Sequence, residues 1–466
     1  MLVLLVCSIT ISCFEDKDDN PVSTSEINDF VWKAMNTYYL YKDGVPDLAN
    51  DRFSTSEYNS FINSFSSPED LFESLIYQRT SIDRFSWITS DYIALEEFLS
   101  GTTLNNGMEF GLVRYPQSNS DIFGYVRYVL PNTNAETQGI QRGQIFYAVN
   151  GTPINDTNYI SLLSQNTYTI NLATYDDNNT PNPGDDTIIP GTESITLSKT
   201  AYTENPIFRT EIFEVNGENV GYLMYNGFTA NFDTLLNDVF GEFIANNVQE
   251  LILDLRYNPG GSVNTAILLS SMIAGNNGEV HSTEQWNSDI QPILDPESLI
   301  HRFTNNDDGT PLNILNLSKV YILTSRSSAS ASELVINSLN PYMNVVQIGT
   351  QTTGKYQASF TLYDSPDFRR QGANSNHTYA LQPLILKTLN SVGFTDYNEG
   401  LAPDIVLGEN YANLGILGDP TELLLATALQ HIEDNGRISS QTFEPLEILS
   451  DSKDLLPFAK GMYIDN

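Results

Sequence analysis

Basic residues are scarce in this sequence. Its 466 residues hold 22 Lys and Arg against 58 Asp and Glu, a formal net charge of −36. A field of that sign repels nucleic-acid phosphates and anionic lipid surfaces, which excludes a nucleic-acid partner. Cysteine is nearly absent as well, with Cys7 and Cys13 the two in the chain. Everything beyond residue 13 must therefore fold without a disulfide, a cysteine nucleophile or a cysteine-bound metal. There are four histidines, His281, His301, His377 and His431, and none lies in a recognisable motif, which disfavours a His-based triad. The sequence has no H-E-x-x-H, no G-x-S-x-G and no nucleotide-binding glycine loop, so neither metal nor cofactor is expected. The stretch Asp176 to Asp186 lacks the alternating spacing and closing Glu of a calcium loop and reads as a solvated turn.

What is present describes a globular chain. Hydrophobic residues make up 40% of it, and the length suits about three domains. The opening apolar run MLVLLVCSITIS is too short to span a bilayer and reads as a signal-peptide core. Cys13 follows Ser12 as in the lipobox of bacterial lipoproteins, and the acidic FEDKDDN after it resembles surface-export signals of Bacteroidetes lipoproteins. That resemblance implies lipidation at Cys13, export to the outer membrane or cell surface, facing outward or the periplasm, and membrane contact through the lipid alone.

Six segments follow: a signal peptide (1–13), a tether (14–25), a helical domain (26–100), a domain of short strands and turns (101–200), an α/β core (201–436) and, at 437–466, an appended strand or tail whose weak periodicity gives it no place. Phe30, Val31, Met35, Tyr38 and Tyr39 recur at helical spacing, as do Leu71, Phe72, Leu75 and Ile76. The unalternating run Leu251 to Leu255 predicts a strand buried on both faces. Helices are expected over Val263 to Met272 and Ala331 to Leu339. Another is expected to open at Asp419-Pro420, with Glu422 completing a capping box. The order strand, short helix, GIQRGQIFYAVNG (139–151) resembles a PDZ domain, with Gln144 in place of the usual Asp.

Chemistry concentrates in three places. The segment TSRSSASASE (324–333) lies between a predicted strand and a predicted helix. A serine hydroxyl there sits beside free amides and the positive end of a helix dipole. Ser330-x-x-Glu333 is equally the pattern of a capping box, so on this segment alone Ser330 reads as a helix cap. Lys355 follows 25 residues later and is one of three lysines between Ala201 and Gly436. Serine needs a base, and lysine serves only when uncharged, which requires burial to draw its pKa from about 10.4 toward 7, worth roughly 4 to 5 kcal/mol. The third is Asp254-Leu-Arg256-Tyr-Asn258-Pro-Gly260-Gly261. Its glycine pair leaves bare backbone amide past a strand end, and its Asp254 and Arg256 are read as an ion pair bracing the loop.

Together these segments resemble the C-terminal processing peptidases, or tail-specific proteases. That family carries D-L-R-x-N-x-G-G, then S-A-S-A-S-E with the middle Ser as nucleophile, then G-K with the general base. Here these are Ser330 and Lys355. Gly400-Leu-Ala-Pro403-Asp404 and Asp83-Arg-Phe-Ser86 resemble two further family signatures. The resemblance implies a crotonase-like or ClpP-like α/β core with an inserted PDZ domain and an N-terminal helical domain. It implies a serine endopeptidase acting by a Ser–Lys dyad on proteins with unstructured C-termini. The oxyanion would be held by amides of Ala331 and of Gly260 or Gly261. The PDZ turn Gly107 to Gly111, with Met108, Glu109, Phe110 and Gly111, would hold the substrate carboxylate. Many members carry Gln four residues after the Lys. Here that position is Ser359, leaving Ser359, Gln357 and Glu333 as candidates to orient Lys355. The rival reading is a non-catalytic peptide-binding lipoprotein of the same fold.

Overall fold

The computed structural model describes residues 23–180, 182–436, 446–456 and 461–464. Cys13, the rest of the expected signal peptide and most of the expected tether lie outside these residues. Ser23 caps the helix Thr24–Tyr38, so helix already replaces the last two residues assigned to the tether. The helix buries Phe30, Val31 and Met35 against Leu71, Phe72 and Leu75, and Leu362 and Leu381 of the following core complete the same cluster. Shared burial of this kind fixes the helical region onto the core.

Among the described residues, a largely antiparallel sheet runs in the order Ile448–Asp451, Met108–Arg114, Ile122–Val129, Ile145–Val149, Thr167–Asp176, Thr187–Ser198. Its first strand comes from the end of the chain. The segment that had no place in the sequence is the edge strand of a domain more than 300 residues upstream.

A six-stranded sheet forms the core, in the order Ile207–Val215, Glu218–Tyr225, Val248–Asp254, Lys319–Thr324, Asn344–Gly349, Ile405–Val406. All neighbours are parallel except the first pair. Helices Asp233–Ala245, Val263–Ala274 and Ala331–Leu339 cover one face, and Leu423–Glu433 packs on the other. The parallel strands end at Asp254, Thr324 and Gly349, so the loops bearing Gly260, Ser330 and Lys355 all leave the same edge of the sheet. Ligands of open α/β sheets bind at that edge.

One expected boundary is displaced. The last core helix begins at Leu423 with Glu422 as its N-cap, and not at Asp419-Pro420. Glu422 is committed to an ion pair with the fully buried Arg256 at 2.7 Å and accepts from the Leu425 amide at 3.0 Å. That long-range pair decides where the helix starts. Arg256 also holds Asp254 at 2.8 Å, so the loop after the central strand is braced from within. No helix among the described residues is long and apolar enough to cross a membrane.

Candidate active site

Five serines fall between residues 325 and 332. The Ser325 hydroxyl donates to the Arg256 carbonyl, Ser328 to Leu255 at 2.8 Å, Ser332 to Asn258 at 3.0 Å, and Ser327 to Asp451 Oδ2 at 2.6 Å. These bonds stitch the loop to its neighbours. Ser330 is fully buried, and its Oγ makes no hydrogen bond. Its backbone stands at φ 65°, ψ −117°, a region that side-chain-bearing residues avoid at a cost of about 1–3 kcal/mol. An unpaired buried hydroxyl costs about 1–3 kcal/mol more. Two unfavourable features coincide on one residue at the start of a helix.

Ser330 and Glu333 form a capping box: Ser330 Oγ is placed toward the Glu333 amide without a hydrogen bond of normal geometry, and the Glu333 carboxylate accepts the Ser330 amide at 2.8 Å. That carboxylate does more. It also accepts the Lys355 amide at 2.8 Å, the Gly354 amide at 2.7 Å and the Thr352 hydroxyl. One buried group thus ties the serine loop to the lysine loop through main-chain donors. Burial pushes the Glu333 carboxyl above its ordinary range, and the donated hydrogen bonds pull in the opposite direction.

The glycine pair could be nothing else. Gly260 and Gly261 stand at φ +110° and +138°. A Cβ on Gly260 would lie 2.5 Å from Ser330 Cβ and 2.7 Å from its Oγ, and one on Gly261 would lie 2.2 Å from the Phe228 carbonyl. The backbone at Gly260 therefore presses directly on the serine. Its amide is already donated to Asn258 Oδ1 at 2.9 Å. Of the three amides expected at an oxyanion, Gly260's is thus spent on Asn258, and Gly261 is paired in the ladder with Met462–Tyr463. Ala331 opens its helix, where amides precede the internal ladder.

Lys355 is 2% exposed, and its Nζ lies 5.2 Å from the centre of the Phe85 ring. It lines a cleft of about 420 Å³ together with Arg84, Phe85, Ser359 and Gln382. The Ser330 hydroxyl and the Lys355 amine are not hydrogen-bonded to each other here. The segment Asp83 to Ser86 positions the lysine loop. Asp83 Oδ1 accepts the Ser86 amide at 2.8 Å, and Arg84 donates to the Gly354 and Asn398 carbonyls at 3.0 and 2.9 Å. Sequence reasoning noted this segment's pattern but not that Arg84 and Phe85 reach the site.

The three candidates for orienting Lys355 separate. Ser359 faces the same cleft and donates its amide to the Met462 carbonyl at 2.9 Å. Gln357 donates Nε2 to the Tyr41 hydroxyl at 2.8 Å. Glu333 holds the lysine by its main chain. Met108, Glu109, Phe110 and Gly111 lie on the strand Met108–Arg114, with Gly111 opposite Asp451 of the tail. The histidines are engaged elsewhere. His301 pairs with Glu284, His377 with Asp364, and His431 with Tyr321. His281 packs edge-on to Phe303, and burial pushes its pKa down to about 3.

Among known proteins, the sequence model of Peptidase family S41 matches residues 219–407, and that of the Peptidase S41 N-terminal domain matches residues 26–87. A carboxyl-terminal-processing protease of Picosynechococcus is 25% identical over 318 residues, 66% of this chain and 67% of the relative. A CtpA-like serine protease of Staphylococcus epidermidis is 27% identical over 202 residues, 43% of this chain but 36% of that one. Among solved structures, an S41 protease of Bacteroides fragilis superposes with a TM-score of 0.65 at 26% identity, over 87% of this chain and 97% of that one. The photosystem II D1 C-terminal processing protease reaches 0.52 at 16% identity, over 89% of this chain and 99% of its own, a likeness of fold alone.

Proposed function

The chain belongs to peptidase family S41, and from that membership we propose that it is a serine endopeptidase with Ser330 as nucleophile and Lys355 as general base. One observation carries the assignment. Of five neighbouring serine hydroxyls, four are spent on structure, and Ser330 Oγ has no hydrogen bond and sits on a strained backbone at a helix start. Strain that persists at one residue marks a functional position. A pure peptide binder would need neither that serine nor a buried lysine on the loop tied to it through Glu333.

The chemistry follows. The Ser330 oxygen attacks the substrate carbonyl as its proton passes to uncharged Lys355 Nζ, a form that burial favours. The amide of Ala331, joined by that of Gly261 once its partner strand Met462–Tyr463 yields to substrate, serves the developing oxyanion, aided by the dipole of Ala331–Leu339. The C–N bond breaks, and the leaving amine takes the proton back from the lysine. Water then attacks the acyl-enzyme with Lys355 again as base, releasing the carboxylate and restoring the serine. The hydroxyl–amine contact closes by side-chain rotation when substrate arrives, as catalytic hydrogen bonds commonly do.

The α/β core is of crotonase-like or ClpP-like type, and residues 101–200 are its inserted PDZ domain. Substrates are exported proteins whose unstructured C-terminal tails add as an antiparallel strand along Met108–Arg114. The enzyme reaches them as a lipoprotein anchored through Cys13. The test is incubation with a flexible peptide carrying a free C-terminus, with products read by mass spectrometry. Cleavage by the wild type and none by Ser330→Ala is expected; equal cleavage by both would refute the assignment.

A further inference from the structure

We propose that the protein's own C-terminal segment is a built-in competitor of its substrates, seated in the peptide groove and along the catalytic cleft until a substrate tail displaces it. The proposal rests on the peptidase reading above. The strand Ile448–Asp451 runs antiparallel along Met108–Arg114, with Ile448 opposite Val113, Ser450 opposite Leu112 and Asp451 opposite Gly111. This is the edge, and the direction, that a captured substrate tail would take. At its end Ser452 engages both main-chain groups of Phe110: its amide donates to the Phe110 carbonyl at 2.9 Å, and its Oγ accepts the Phe110 amide at 3.1 Å. Leu449 and Leu455 pack against the core of the same domain beside Tyr159. With these groups spent, no second strand can add to that edge.

The same segment then enters the catalytic cleft. Met462–Tyr463 pairs in parallel with Gly261–Ser262, while the Ser359 amide donates to the Met462 carbonyl at 2.9 Å and the Ile464 amide donates to the Ser359 carbonyl at 3.1 Å. One short strand thus fills the gap between the glycine pair and Ser359, on the segment that follows Lys355, the strip of backbone an extended scissile segment needs. Leu456 lines both the cleft at Lys355 and a second cavity at Gly260. Two polar clasps hold the segment. Asp451 bridges Arg127 of the strand domain at 2.9 Å and Ser327 of the serine loop at 2.6 Å, and Lys453 donates to the Asn226 carbonyl at 2.7 Å. Apart from the buried Arg127–Asp451 ion pair, each of these contacts is hydrogen bonding or side-chain packing that another extended chain can replace.

The test uses the full chain with Ser452→Pro. At φ −58° this position accepts proline without strain, and the change removes both the amide and the hydroxyl that engage Phe110. The readouts are hydrogen exchange at the Phe110 amide, the rate at which a fluorophosphonate labels Ser330, and binding of a fluorescent synthetic peptide of residues 446–456. The expected result is an exposed Phe110 amide and labelling faster by about thirtyfold, what the loss of two ordinary hydrogen bonds yields, with added peptide restoring the slow rate. Leu449→Asp, which places a charge against the domain core, is expected to act in the same way. An exposed Phe110 amide with unchanged labelling overturns the proposal, because the segment is then a structural clasp only. So does an edge that opens in neither variant. If no form is labelled at Ser330 while the peptide still binds the Ser452→Pro chain, the peptidase reading fails and the groove's occupant stands.

Discussion

Glu333→Gln changes one atom of the side chain and is expected to disable the site. The carboxylate accepts four donors, Gly354 N and the Thr352 hydroxyl on one oxygen, Ser330 N and Lys355 N on the other. A glutamine has one acceptor oxygen. With that oxygen toward Ser330 and Lys355, its amino group faces the other pair. The threonine hydroxyl can turn and accept, whereas the Gly354 amide cannot. One buried amide left unpaired costs about 1–3 kcal/mol, and the surviving bonds fall from charged to neutral strength. Relief from burying a charge, the same burial that pushes the Glu333 carboxyl up, offsets part of this. The net expectation is a loss of about 2–3 kcal/mol, a sizeable share of a typical domain's 5–15. Gly354 precedes Lys355, so a shift there misplaces the proposed base, and a displacement of about 1 Å costs roughly a hundredfold in rate. Denaturant unfolding and fluorophosphonate labelling measure the two effects. A glutamine variant that unfolds and labels as the wild type does would refute the role given to this carboxylate.

Two further outcomes follow from the geometry. Gly260→Ala puts a Cβ 2.5 Å from Ser330 Cβ at a backbone angle of +110°, so labelling should fall by about a hundredfold or more, with a strain cost of about 1–3 kcal/mol; near-normal labelling would contradict the close approach. His281 is buried neutral, its pKa pushed from 6.5 to about 3, so the folded state refuses a proton that the unfolded chain accepts. Stability should therefore fall as pH drops below 6.5, by about 2 kcal/mol at pH 5, and His281→Gln should lack that fall; identical pH profiles would contradict it.

Legibility in the sequence followed the range of the interactions. The buried strand Val248–Asp254 and the helix Ala331–Leu339 were readable because apolar runs and the small residues before Ser330 are local signals. Ser330 could not be told from a helix cap by pattern. What separates it is the fate of four neighbouring hydroxyls, each bonded to a partner from another loop or from the tail. Glu333 was readable as a neighbour of the site but not as the link between its loops, since main-chain donors leave no trace in residue identity. The commitment of the Gly260 amide to Asn258 was hidden for the same reason. The start of the last core helix depends on Arg256, 166 residues upstream of Glu422. The tail was readable as an appended strand but not placeable, because a four-residue strand with weak alternation gains its meaning from a partner at Met108–Arg114.

Mass mapping of a fluorophosphonate adduct on the wild type, Ser330→Ala and Lys355→Ala addresses the central claim most directly. A covalent adduct should appear on the wild-type peptide containing Ser330, vanish in Ser330→Ala and form far more slowly in Lys355→Ala, with all three chains folded alike. An adduct on another residue, or equal labelling after loss of the lysine, would contradict the assignment of nucleophile and base.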